Sequence, residues 1–260
     1  MQNFSNFLDQ IELILNQIKK IDLLGYVNTE NEKERLFNNL KTYINSQSIQ
    51  PTDDELHNDR FIKLTEQSRS LYNCYYSLME TAKCVEIISH PTKNEFNFQS
   101  HNNLLSKQEL EVMQLKAHSH IAFVGSGPLP WTAIRYHLKT NVNVSCIDYN
   151  PEAVFLSYKL LDVYNLHQSV KVFCTDASLF NYADITHIVL AGMALSKDQI
   201  IEKVIKTAQT GTMLIIRSSV GLNCFFYENY HLTKNNYFEY KISLSGDPSG
   251  ELMSYVFVKK

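Results

Sequence analysis

Ile121-Ala122-Phe123-Val124-Gly125-Ser126-Gly127-Pro128-Leu129-Pro130-Trp131 is an apolar run that breaks into a glycine-rich turn and then into a segment of helical character. A short apolar run bounded by glycine reads as a buried strand. Glycine between strand and helix lets the backbone come close to a ligand, while the helix aims its unpaired N–H groups at the same place. The pattern repeats downstream: residues 142–147, 170–174, 188–191 and 213–217 are further β-branched runs, separated by helix-length segments such as 131–138 and 151–164. Alternation of this kind predicts a doubly wound, mostly parallel α/β domain over residues 118–260, its strands buried on both faces. Residues 237–244 and 253–258, flanking Gly246-Asp247-Pro248-Ser249-Gly250, are expected to add antiparallel edge strands.

The residues before this domain carry a period of 3.6 instead. Phe4, Leu8, Ile11, Leu15 and Ile18 recur at three- and four-residue steps, as do Leu36, Leu40 and Ile44. After the break at Pro51-Thr52-Asp53-Asp54, a long helix is expected from Asp59 to just before Pro91. Its predicted core stripe is Phe61, Leu64, Leu71, Tyr75, Leu78, Ala82 and Val85. A polar, irregular stretch follows to His101. Residues 104–115 predict one more helix, with Ser106 as N-cap and Glu109 in capping-box register. Residues 1–117 therefore read as an all-helical N-terminal domain.

Composition removes several classes of function. The 260 residues are 44% apolar and 20% charged, with 24 Lys and Arg against 27 Asp and Glu and no dense basic run, so nucleic acid is not a favoured partner. Apolar runs fall far short of the roughly 20 residues that cross a bilayer. Met1-Gln2-Asn3-Phe4-Ser5-Asn6 reads as no secretory leader, and a cytoplasmic location is expected. Five scattered cysteines without Cys-x-x-Cys suit reduced, mostly buried thiols, and nine histidines without His-x-x-x-His predict no metal site.

Acidic residues at successive strand ends sharpen the ligand class. Asp148 closes the second strand 23 positions after Gly125, where a carboxylate can accept both hydroxyls of a ribose. Asp176-Ala177 follows the third strand, where a carboxylate can take an adenine amine. Pro128-Leu129-Pro130 replaces the third glycine of a dinucleotide fingerprint and leaves little room for a pyrophosphate. An adenosyl compound without phosphate fits better, and S-adenosylmethionine (SAM), used as a co-substrate, is such a ligand. Tyr149 and Asn150 are candidate walls of the adenosine site, although Asn150-Pro151 is also a plain helix start. Arg217, ending the fifth strand, suits either a substrate carboxylate or an ordinary ion pair.

The run Phe123 to Pro130 resembles the hallmark Gly-Ser-Gly-Pro-Leu-Pro of the nicotianamine synthase family. Leu105-Ser106-Lys107 with Glu109, Asp148, Gly192-Met193, Arg217-Ser218-Ser219 with Gly221, and Phe226-Tyr227 are similar to further segments of that family. The resemblance implies a Rossmann-like SAM-binding domain whose loop Gly125, Ser126, Gly127, Pro128, Leu129 and Pro130 holds SAM, with Asp148, Asp176, Ala177 and Gly192. It implies transfer of SAM's 2-aminobutanoyl (3-amino-3-carboxypropyl) arm to an amine, with release of methylthioadenosine and a glutamate of the helical region as general base. At 100° per residue, Glu80 edges a face carrying Tyr72, Tyr76, Met79 and Lys83, opposite the expected core stripe. Glu80 is the candidate base, Glu86 the reserve, and Tyr76 a candidate substrate contact. Phe96-Asn97-Phe98-Gln99-Ser100-His101-Asn102 departs from the plant pattern. That departure resembles the synthases of opine metallophores such as staphylopine and pseudopaline, which act on histidine, and here D-histidine is the expected acceptor. Nicotianamine formation proper, methylation of a small molecule, and a SAM sensor are the alternatives, and a homodimer is implied by the family alone.

Overall fold

The computed structural model describes residues 4–21, 29–91, 104–232, 236–246 and 251–260. Along the chain run α1 (Phe4–Lys20), α2 (Thr29–Asn45), α3 (Asp53–Leu56), α4 (Asp59–Ser89) and α5 (Leu104–Met113). Then come β1 (His120–Val124), α6 (Trp131–Thr140), β2 (Asn143–Asp148), α7 (Pro151–Val163), β3 (Val170–Cys174) and β4 (His187–Leu190). The last elements are α8 (Lys197–Thr207), β5 (Met213–Ser218), a 3-10 turn (Gly221–Phe225), β6 (Phe238–Ser245) and β7 (Met253–Lys259). The segment Phe96 to Asn102 and most of the turn between β6 and β7 lie outside the described residues.

The chain forms two compact units, residues Met1–Tyr76 with Ser219–Asn229, and Ser77–Ser218 with Tyr230–Lys260. The sequence suggested a boundary at 117/118. The division falls instead inside α4, and an eleven-residue excursion after β5 joins the first unit.

In the first unit, α1 buries Phe7, Leu8, Ile11, Leu15 and Ile18 on one stripe, and α2 buries Leu36, Phe37, Leu40 and Ile44. The excursion contributes Phe225, whose ring lies edge-on to Phe7 at 5.9 Å and to Phe61 at 5.4 Å. The expected break at Pro51 to Asp54 contains a helix start. Thr52 accepts the Glu55 N–H while the Glu55 carboxylate returns to the Thr52 N–H, a reciprocal cap that closes the single turn of α3.

The second unit holds a seven-stranded sheet in the order β3-β2-β1-β4-β5-β7-β6. The first five of these strands run parallel, and β7 is antiparallel to both β5 and β6. Chain order reverses between β1 and β4, so the crevice outside their carboxyl ends is where this topology takes a ligand. Ile121, Ala122, Val144, Cys146, Ile188, Val189, Leu214 and Ile215 are almost wholly buried, and burial of each large apolar side chain contributes roughly 1.5–3 kcal/mol. β3 is the exception to the expected two-sided burial: it lies at the sheet edge, with Lys171, Phe173 and Cys174 exposed. Local signals start and stop the helices. Asn150 caps α7 by accepting the Glu152 N–H, with Pro151 in the first turn, and Asn141 ends α6 in the left-handed region at φ 60°.

Two expectations are corrected by burial. Leu78, Ala82 and Val85, placed on the core stripe of α4, are exposed, and the buried residues of the helix beyond Tyr75 are Cys84 and Ile87. In the first unit the helix buries Ser68 and Tyr72, and beyond exposed Tyr76 the second unit takes Glu80, half-buried, and Cys84, positions with few large apolar residues to announce them. Ser106 is not an N-cap, because α5 starts at Leu104 and Ser106 is buried within it, where it accepts from Arg135 Nη1 at 3.2 Å. Glu109 makes no capping box. It is fully buried and receives Arg217 Nε on Oε1 at 2.9 Å and Nη2 on Oε2 at 2.7 Å, with the Ser254 hydroxyl on Oε1 and the Tyr136 hydroxyl on Oε2. Burial by itself would raise the Glu109 carboxyl, but the Arg217 charge and the three donors hold it below the ordinary glutamate value.

Removing one partner of this pair leaves the other charged and buried. Glu109→Ala is expected to destabilise the fold by about 3–5 kcal/mol, read as the loss in urea-unfolding free energy at pH 7; a loss under about 1 kcal/mol would mean that Arg217 finds another partner.

Candidate functional site

Residues 125–130 leave β1 at the reversal of strand order and are folded back onto β2. The Gly125 N–H donates to the Ile147 carbonyl at 2.9 Å and the Gly127 N–H to Asp148 Oδ2 at 2.8 Å. The Ser157 hydroxyl of α7 donates to the Gly127 carbonyl at 2.9 Å. Gly125 and Gly127 both occupy left-handed backbone, at φ +75° and +64°, where a side chain is strained. A β-carbon on Gly125 would sit 3.4 Å from the side chains of Ala191 and Ala194, so the segment after β4 lies directly against the loop. That segment is anchored in turn. Lys197, buried at the start of α8, donates from Nζ to the Gly192 carbonyl at 3.2 Å.

Asp148 ends β2 half-buried, with Oδ1 accepting the Asn150 N–H at 3.0 Å and Oδ2 the Gly127 N–H. Two carboxylate oxygens have about four acceptor positions, so both oxygens keep capacity for hydroxyl donors. Asn150 is accounted for as the α7 cap, and Tyr149 is exposed. Asp176 is exposed beyond β3 and accepts the Ser178 N–H at 2.8 Å, which shapes its own turn, while Ala177 is buried and accepts the Tyr182 hydroxyl at 2.9 Å. Ser126 is buried beside the Cys146 thiol, which burial and then the Asp148 charge push up to about 12.

Glu80 reaches the same loop from α4. Its Oε2 lies only 2.7 Å from where a β-carbon of residue 127 would be. Burial, then the negative charge of Asp148, pushes the Glu80 carboxyl up to about 7. Cys84, one turn further along α4, has its thiol raised to about 12 by burial and then by the charge on Glu80. A carboxyl poised near neutrality beside a glycine loop has the properties of a general base. Glu86 is elsewhere: it is exposed, in an ion pair with Lys83 at 2.9 Å.

Arg217 resolves to the ion pair with Glu109. Its guanidinium is buried, forked onto that carboxylate and lying 5.4 Å over the Phe123 ring, so its fork is taken up by the ion pair. Tyr76 is partly exposed in the first unit, its ring 4.7 Å from Tyr72. Lys197 escaped the sequence reading because a lysine in the first turn of a helix looks solvated. Among the described residues no group of three or more His, Cys, Asp or Glu could hold a metal, and no helix is long and apolar enough to cross a membrane.

Comparison with known proteins bears on this site. The family described as nicotianamine synthase protein matches residues 1–260. The L-histidine 2-aminobutanoyltransferase of Yersinia pestis is 25% identical over 194 residues, covering 74% of this chain and 72% of that protein. Among solved structures, a glutamate-to-glutamine mutant of MtNAS superposes with a TM-score of 0.81 at 18% identity, over 97% of this chain and 98% of that one. The same mutant in complex with S-adenosylmethionine gives 0.79 over the same shares, at 18% identity. MtNAS in complex with MTA and tNA gives 0.81 at 18% identity, over 97% of each chain. These likenesses confirm the Rossmann-like α/β fold.

The raised Glu80 carboxyl makes a stability prediction that needs no substrate. Its proton is held more tightly in the folded chain than in the unfolded one. Its contribution is therefore intact below the unfolded value of about 4.3 and is lost as pH rises through about 7. Glu80→Gln is expected to flatten that decline in urea-unfolding free energy between these two pH values; an unchanged slope would mean that Glu80 titrates normally.

Proposed function

The chain belongs to the nicotianamine synthase family, and on that premise we propose that it transfers the 2-aminobutanoyl arm of SAM to the α-amine of histidine, releasing methylthioadenosine. The observation that carries the reading is the Glu80 carboxyl held against Gly127 of the loop, beside Asp148, with its ionisation near neutrality. In this reading residues 125–130 and Gly192 cradle the methionine portion of SAM, Asp148 takes the ribose hydroxyls, and Asp176 with Ala177 faces the adenine. Tyr76 belongs to the acceptor's surroundings. The name of the Yersinia relative supports histidine and favours the L form over the D form that the opine-metallophore resemblance suggested.

The reaction has a simple balance. The acceptor nitrogen uses its lone pair to form a bond to the γ-carbon of the arm as the carbon–sulfur bond breaks. The departing pair stays on sulfur, converting a sulfonium into the neutral thioether of methylthioadenosine, and the proton shed by nitrogen goes to Glu80. SAM's sulfonium activates its methyl carbon as well, so alignment of the nitrogen with the γ-carbon separates this transfer from methylation. The setting proposed is the cytoplasm, with small molecules as partners, no nucleic acid or membrane, and the product a metallophore precursor; a homodimer is part of the same proposal.

Purified protein with SAM and L-histidine, D-histidine or no acceptor is expected to yield methylthioadenosine with an aminobutanoyl-histidine adduct by mass spectrometry, faster with the L form. Nicotianamine without a histidine adduct would select repeated transfer between SAM molecules, and S-adenosylhomocysteine would select methylation. Glu80→Gln should keep SAM affinity within about threefold while lowering transfer by about 10²–10⁴-fold. Asp148→Ala should weaken SAM binding by about 10–100-fold in calorimetry, since it removes hydrogen bonds to a charged acceptor; unchanged affinity would refute the ribose role.

A further inference from the structure

We infer that Gly127 is a positioning residue: it lacks a side chain so that the Glu80 carboxyl can seat against the loop, holding the base in register with the SAM-binding backbone. This deepens the reading of Glu80 as base and rests on it. The two glycines of the loop differ in what surrounds them. Both have positive φ, so both exclude side chains on backbone grounds, yet a β-carbon on Gly125 would make ordinary 3.4 Å contacts with Ala191 and Ala194. A β-carbon on Gly127 would meet Glu80 Oε2 at 2.7 Å and Cδ at 3.9 Å. Carbon does not approach oxygen that closely without displacement, and here the atom that yields is the tip of a flexible side chain. The fold loses little by moving it. The chemistry loses its proton acceptor, because a misplacement of about 1 Å in a reacting group can lower a rate by about 10²-fold.

Gly127 also carries the link to the ribose acceptor. Its N–H donates to Asp148 Oδ2 while its α-carbon faces Glu80, so one residue spaces the two carboxylates whose mutual repulsion helps hold the Glu80 proton. A residue that set only the backbone of the loop would alter SAM binding. A residue that spaces these carboxylates alters the ionisation of the base as well.

The test compares Gly127→Ala with Gly125→Ala, which shares the backbone strain but not the Glu80 contact. The protonated-carboxyl infrared band assigned to Glu80 by its loss in Glu80→Gln is titrated in each, without substrate. SAM affinity and the methylthioadenosine release rate at saturating SAM are then measured against pH, with the acceptor that the histidine assay identifies. The expected result is comparable weakening of SAM binding in both variants. Only Gly127→Ala should shift the Glu80 titration and lower the saturated rate by tenfold or more, flattening its rise through neutral pH. Glu80→Asp, which withdraws the carboxyl by one methylene, should make the added Gly127→Ala change nearly silent in rate. Equal titrations and equal rates in the two alanine variants would overturn the proposal. A shifted titration with undiminished transfer in Glu80→Gln would show that the contact exists while the base assignment has failed, which removes the positioning role by a distinguishable route.

Discussion

The forked ion pair between Arg217 and Glu109 holds the second unit together beneath its ligand edge. It joins α5 to β5 directly, recruits α6 through the Tyr136 hydroxyl and β7 through Ser254, and lies over the Phe123 ring one residue before β1 ends. A buried pair adds little net stability compared with apolar packing of the same volume, but it admits few alternative arrangements, because any shift of one partner leaves a charge without its counterpart. Four elements are thereby tied to a common reference immediately under the loop that begins at Gly125. The strand end that carries Arg217 is a place where substrate clamps often occur, and here that position serves to locate the sheet.

Above that foundation the site is organised by repulsion as much as by attraction. Asp148 is stabilised by two backbone N–H donors, whereas Glu80 has burial and a neighbouring negative charge against it. Of the two carboxyl groups near this one glycine, Glu80 is the one pushed towards neutrality, where a carboxyl can exchange protons. The same sheet and loop would serve a methyltransferase equally well. What distinguishes the present arrangement is a carboxyl raised towards neutrality beside the loop, the group that the proposed transfer to an amine calls on as proton acceptor.

The sheet was legible because its information is local. Continuous β-branched runs, helix-length spacers and a Gly-x-Gly turn leave few alternatives, and strand ends fell within a residue or two of those expected. The ends of β1 and β2 were legible for the same reason, although the hydrogen bond that joins Gly127 to Asp148 spans 21 positions. Long-range properties were not. Buried or half-buried positions of α4 include Ser68 in the first unit and Glu80 and Cys84 in the second, whose apolar content is small, while Leu78 and Val85 drew the expected stripe to the exposed side. Glu80 was selected for facing away from the core and proves half-buried. Glu109 looked like half of a cap because three-residue spacing is what a capping box shows. Its real partners are more than twenty and more than a hundred residues away, on α6, β5 and β7.

The chain passes between its two units three times: within α4 at 76/77, after β5 at 218/219, and again at 229/230. The excursion is closed at its base by paired serines. The Ser218 hydroxyl donates to the Tyr230 carbonyl at 3.0 Å, and the Ser219 hydroxyl to the Tyr227 carbonyl at 2.7 Å. Phe225, which the excursion delivers, is wholly buried among rings of the first unit. A fragment ending at residue 76 would therefore lack a piece of its own core, and one beginning at residue 77 would carry that piece as an orphaned apolar loop. The helical unit is not a portable module that gene fusion can add or remove at a single junction. Exchanging that unit for another would require altering two distant places in the gene together, because residues 219–229 belong to it as well as residues 1–76.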